Sequence, residues 1–233
     1  MKRLIFILTG LFIVSFLSAQ SLEDIVNKYT VANKLDKISG FKTLKITGKM
    51  SMMGMDMPME LWMKNPNKIK SVTNVQGQDI IQVYDGEKGY MVNPMTGSTT
   101  PVEMTPDQVQ QALRNNMFRN EILEYLKNGK LVLEGEENVN GNPAYRLKAS
   151  IEEGATSTVF IDKNTFLVAK TIVSTNQGGM PVTIESYPSD YTETSGVLLP
   201  MKTTSSTSGM EFVVTFTKVE VDIPMDDSVF KLN

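Results

Sequence analysis

The chain of 233 residues has no histidine and no cysteine. Without histidine it lacks the commonest general base, the usual imidazole metal ligand and the usual switch near neutral pH. Without cysteine it can form no disulfide, hold no metal through thiolate and carry no lipid anchor behind a leader. Gly-rich phosphate loops and a G-x-S-x-G elbow are also missing. These absences exclude most catalytic sets, so no enzymatic activity and no cofactor is expected. Basic residues are in deficit, 23 against 26 acidic ones, and a mildly acidic chain is not built to bind nucleic acid non-specifically.

Long apolar runs are scarce too, with one exception at the start. Lys2 and Arg3 precede Leu4 to Leu17, a run broken only by Thr9, Gly10 and Ser15 and followed by Ser18-Ala19-Gln20. That is the plan of a secretory signal peptide. The run is about 14 residues, short of the roughly 20 that span a bilayer. Cleavage is expected after Ala19 or Gln20. It leaves residues 21–233 as one exported domain with a net charge near −5, since the leader takes two basic residues with it.

The mature segment opens as a helix. Ser21 caps it, Glu23 and Asp24 sit where the helix dipole favours acids, and Leu22, Ile25, Val26, Tyr29, Ala32 and Leu35 form one apolar face that Gly40 ends. From Phe41 the period changes to two. Leu44, Ile46, Gly48, Met50 and Met52 alternate with Lys45, Thr47, Lys49 and Ser51, and Met57, Met59, Leu61 and Met63 with Glu60, Trp62 and Lys64. Further strands are expected to Val92. Thr105-Pro106-Asp107-Gln108 then reads as a capping box that starts a helix, with a second helical piece from about Asn120 to Leu126. Strands resume at Leu131, with turn signals every 8 to 14 residues and no long helices between them, which favours up-and-down antiparallel connection. The expected fold is mainly β. It is a strongly curved antiparallel sheet, or incomplete β-barrel, of about ten to eleven strands, covered by an N-terminal helix and a mid-chain helical lid.

Seven of the 16 methionines fall between Met50 and Met63. Long, unbranched, polarizable side chains repack around differing shapes, which suits a promiscuous apolar surface. Plain core filling and Cu(I) ligation by thioethers are the alternatives that the residues leave open.

Three phrases carry a resemblance. Met59-Glu60-Leu61-Trp62-Met63-Lys64-Asn65-Pro66-Asn67 is similar to a strand and turn of the LolA/LolB-type lipoprotein carriers. Val83-Tyr84-Asp85-Gly86-Glu87-Lys88-Gly89-Tyr90-Met91-Val92-Asn93-Pro94 resembles a hairpin of the same family. Asp226-Asp227-Ser228-Val229-Phe230-Lys231-Leu232 resembles the closing phrase of outer-membrane lipoprotein-sorting proteins. The resemblance implies a monomeric soluble periplasmic carrier whose apolar cavity takes the acyl chains of lipoproteins or other lipid cargo, between an inner-membrane transporter and an outer-membrane acceptor. On that reading the cavity wall comprises Leu44, Ile46, Met50, Met52, Met59, Leu61, Met63, Ile81, Val83 and Met91. The helical cover comprises Met104, Val109, Leu113, Met117 and Phe118. The family pattern has an arginine before the turn proline that holds the lid closed; here that position is Asn65.

Overall fold

The computed structural model describes residues 20–114, 116–152, 154–177 and 180–232. The expected signal peptide, apart from Gln20, lies outside the described residues.

Thirteen strands form one antiparallel sheet among these residues. Strands β1 (Thr43–Met52), β2 (Met55–Lys64), β3 (Lys68–Val75), β4 (Gln78–Tyr84), β5 (Gly89–Asn93) and β6 (Ser98–Glu103) make a first meander. A second runs through β7 (Leu131–Val139), β8 (Asn142–Glu152), β9 (Ala155–Asp162), β10 (Val168–Gln177), β11 (Met180–Thr194), β12 (Val197–Thr207) and β13 (Met210–Val221). The spatial order, β6-β5-β4-β3-β2-β1-β13-β12-β11-β10-β9-β8-β7, joins the meanders where the first strand pairs with the last. The outer edges β6 and β7 are not paired to each other, so the curved sheet stays unclosed.

The mainly β fold with an open curved sheet is as expected; the strand number is higher. One strand not foreseen, β6, is Ser98-Thr99-Thr100-Pro101-Val102-Glu103, an exposed edge with a proline. Proline and short length are what edge strands tolerate, and they also hide the strand from an alternation test. At the other edge, β7 carries a bulge at Gly135 and charges at Glu134, Glu136 and Glu137, which blunt it in the same way.

Helices α1 (Leu22–Ala32), α2 (Pro106–Arg114) and α3 (Glu121–Lys127) lie on one face of the sheet, called the inner face below. Ser21 accepts a hydrogen bond from the Asp24 amide at 3.1 Å, as a cap should. Helix α1 ends well before Gly40. Asn33 donates its amide both to Tyr29 O (2.8 Å) and to Phe166 O (3.2 Å) on the sheet side, and Lys34 turns left-handed at φ 54°. Leu35 therefore joins a separate cluster with Ile38, Val197 and Leu199. Ile25 and Val26 of α1, with Ile122 of α3, seal the inner face of β7–β9 against Leu131, Leu147, Ala149, Val159 and Ile161.

Candidate binding trough

Register fixes which residues share the inner face, because side chains alternate along a strand and paired residues point the same way. Leu44 pairs with Met63, Ile46 with Leu61, Gly48 with Met59, Met50 with Met57 and Met52 with Met55. On the far side of β1, Leu44 pairs with Val221, Ile46 with Val219, Met50 with Val214 and Met52 with Phe212. Met63 continues to Ile69 and Leu61 to Ser71. A trough floor results in which apolar side chains run from β13 across β1 and β2 to β3. Leu44, Ile46 and Met63 are fully buried, while Met50, Met52 and Met59, nearer the hairpin tips, are half-buried.

The row continues through Ile69–Tyr84, Ser71–Gln82 and Thr73–Ile80. Inner-face positions on β4 are therefore Ile80, Gln82 and Tyr84, and Met91 joins them as the partner of Gln82. By register Ile81 and Val83 stand in the alternate row; the assignment of Ile81 to the trough wall is corrected, whereas Val83 also borders the cleft under α2. The run Ile80-Ile81-Gln82-Val83 has apolar residues in both rows, so composition alone could not select one. Val83 belongs to an outer row that runs Lys45, Trp62, Lys70, Val83, Tyr90. In that row Lys45 and Lys70 flank the Trp62 ring at 5.1 and 5.5 Å, and Val83, between Lys70 and Tyr90, is buried.

The residues expected in the cover lie on α2 and on the segments either side of it. Thr105 N donates to Gln108 Oε1 (2.8 Å), and Gln108 N returns to Thr105 Oγ1 (3.4 Å), which closes the capping box. Met104 and Val109 lie over Gly89, where an added Cβ would come within 2.7 Å of Val109 Cγ2 and 3.0 Å of Met104 Sδ. Leu113, Met117 and Phe118 pack on Leu44, Ile46, Leu61, Met63 and Ile69. Between α2 and the sheet a small cleft of about 20 Å³, open to solvent, is lined by Leu61, Ile69, Ser71, Gln82, Val83, Tyr84 and Ala112.

Two residues that sequence reasoning missed hold this cover in place. Gly89 provides the flat seat for α2. Asn116 is buried, donates to Pro66 O at 3.1 Å and accepts from Phe118 N at 3.0 Å, so it ties the end of the cover to the β2–β3 turn. In that turn Asn65 donates to Phe41 O (3.1 Å) and Ser39 O (3.3 Å) and makes no charged clamp. Nothing in the sequence marks Asn116, because a lone Asn after a helix is ordinary.

The three noted phrases meet at this end of the sheet. Lys64 and Lys68 bind Asp227 at 2.6 and 2.8 Å, Asn67 donates to Gly86 O at 3.4 Å, and Phe230 is fully buried. Their spacing therefore reflects a structural junction. The lysine pair holds the Asp227 carboxyl far below its usual 3.8, at about 2, chiefly through the hydrogen bonds from Lys64 and then Lys68.

Among the described residues no group of three or more His, Cys, Asp or Glu could hold a metal, and no helix is long and apolar enough to cross a membrane. No family model and no curated protein matches the sequence. Solved structures do match. A LolA superfamily protein from Nitrosomonas europaea aligns at TM-score 0.60 and 12% identity, over 92% of this chain and 99% of that one. A DUF1329 family protein from Desulfovibrio piger aligns at 0.59 and 15%, over 89% and 97%. A structure from Vibrio parahaemolyticus, described as an outer membrane lipoprotein-sorting protein domain, aligns at 0.58 and 12%, over 90% and 95%. The chain has the LolA-like fold.

Proposed function

We propose that residues 21–233 form one exported domain that carries acyl chains of lipoproteins, or related lipids, through the periplasm toward the outer membrane. The observation that supports this most is an apolar floor on β13, β1 and β2 beneath a cover that begins with a helix of nine residues. Isolated helices shorter than about 12–15 residues are marginal in water, so α2 keeps its place by packing and can leave it. The cleft under it, about 20 Å³, is far smaller than the roughly 300–1,000 Å³ of ordinary ligand pockets, and loading requires α2 to lift. The exchange is reasonable in energy: each CH₂ of cargo withdrawn from water contributes about 0.8 kcal/mol, and it replaces contacts of Leu113, Met117 and Phe118 with the same floor. Directional chemistry is not needed, in keeping with a chain without histidine or cysteine. The LolA-like fold supports the reading, as does the resemblance of the three phrases. A donor transporter in the inner membrane and an acceptor at the outer membrane complete it.

The test is native mass spectrometry of the chain purified without detergent and offered a diacylated lipopeptide. A one-to-one complex, with hydrogen exchange accelerated across 104–118 on loading, is the expected result. An apo mass throughout would overturn the carrier reading. If Cu(I) were retained instead, the cross-strand quartet Met50, Met52, Met55 and Met57 would become the site.

A further inference from the structure

Successive turns of a meander alternate between the two rims of its sheet, and the two rims here differ in composition. One rim holds the turns after β2, β4, β7, β9 and β11. These are mostly polar, with Asp85, Glu87, Lys88 and Lys163 among them, and Phe166 and Leu167 as the apolar members. The other rim holds the turns after β1, β3, β5, β8, β10 and β12. It carries Met53 and Met55 at the first hairpin, Met95 after β5, Met180 at the start of β11 and Met210 at the start of β13. All five are exposed, from 43% to 81%, and they make up the majority of the exposed large apolar side chains described. Met53-Gly54, Pro94-Met95-Thr96-Gly97 and Ser208-Gly209 contain no charged residue. The charge nearest the first tip, Asp56, is answered by Lys49 and Ser51.

We infer that this methionine rim is a docking edge for a neutral phospholipid surface. Five of the nine exposed large apolar side chains described fall on this one rim, a segregation that singly scattered surface residues do not show. The spacing decides which partner. At about 4.8 Å per strand the tips stand roughly 10 Å apart from β2 to β11, and Met95 and Met180 lie about 40 Å apart along the curved edge. A protein partner needs a contiguous apolar patch to bury, and Ser, Gly and Thr interrupt this one. A bilayer interface accepts separate flexible side chains one by one, and gains from each that leaves water. It also penalises charge, and the turns at Met53, Met95 and Ser208 carry none; the acidic β8–β9 connection after Glu152 belongs to this rim too but stands at its end, beyond Met180. Few basic residues are near the tips, so attraction to anionic lipid contributes little. The inference stands apart from the carrier reading, since contact with a surface needs no cargo in the trough.

The lack of cysteine supplies the test. Met53→Cys and Met210→Cys, each carrying an environment-sensitive fluorophore, are mixed with phosphatidylcholine vesicles, with Asn140→Cys and Ser195→Cys as far-rim controls. Blue-shifted emission at 53 and 210 only, unchanged by added salt, is expected. In the unlabelled chain, Met53→Gln with Met180→Gln and Met210→Gln should lower vesicle partitioning about tenfold or more while leaving the melting temperature and lipopeptide uptake in place. Silence at all four labels, an equal response at both rims, or binding abolished by salt would overturn the docking edge. So would rim labels that respond only to self-association. Uptake of soluble lipopeptide is read separately, so loss of one result does not imply loss of the other.

Discussion

Asn116 shows how one side chain can stand in for a charged clamp. Its amide group satisfies a carbonyl of the exposed β2–β3 turn and, in a buried place, an amide of its own loop. Replacing it by Ala leaves Phe118 N without a partner in a buried place, which costs about 1–3 kcal/mol, and releases the tie to Pro66 O. Asn116→Ala should lower thermal stability by a few degrees. It should also raise hydrogen exchange across 104–118 more than in the sheet. A uniform rise in exchange would mean that Asn116 supports the whole fold and does not latch the cover. Asn65 offers a second, contrasting test. Its side chain reaches Ser39 and Phe41 and not the cover, so Asn65→Ala should leave exchange of 104–118 close to that of the unaltered chain.

Among the elements, α2 is the one whose position rests on the least. It has nine residues, a capping box and a seat on Gly89. A side chain at 89 would meet the mobile ends of Val109 and Met104, not backbone, so α2 can move away while β4 and β5 stay paired. Gly89→Val should therefore raise uptake of a fluorescent fatty acyl probe severalfold, at a cost in stability of about 1–3 kcal/mol; unaltered uptake would show that α2 does not gate the trough. The elements also show what the sequence made legible. The capping box, the start of α3 and the alternation in β1 and β2 each depend on local chemistry, and each stands where the residues indicate. The inner row of β4 depends on register, which is set by partners far from the run itself. β6 depends on an edge to pair with, and α1 ends where Asn33 reaches across to Phe166, a contact 133 residues away. The same holds for the site. Its floor on β1 and β2 could be read from period, but Gly89 and Asn116 acquire their roles only once α2 is folded back over the sheet.

At the scale of the whole molecule, the two meanders are held together at a seam between the first strand and the last, and by a clamp beside it. The seam is tight at Gly48, where register shifts opposite Thr217 and an added Cβ would lie 2.3 Å from Thr215 O. Backbone cannot yield as a side-chain end can, so Gly48→Ala should destabilise by about 3 kcal/mol or more, seen as an early loss of the far-ultraviolet signal on heating. The clamp joins Lys64 and Lys68 of the first meander to Asp227 after the second. Only ionised Asp227 accepts both ammonium groups, and its folded pKa of about 2 lies below the usual 3.8. The folded chain thus holds fewer protons than the unfolded chain between these values, and stability must fall as pH falls through them. The contribution is complete above about pH 4, declines from there to about pH 2 and is gone below. Asp227 is solvent-exposed, so salt screens the pair and the effect is largest at low ionic strength. Melting curves from pH 7 to 2 should show Asp227→Asn less stable than the unaltered chain at neutral pH, with the gap narrowing below pH 4 and closing near pH 2. A gap that stayed constant with pH would assign the stabilisation to packing around Phe230 and not to the charge that bridges the two halves of the sheet.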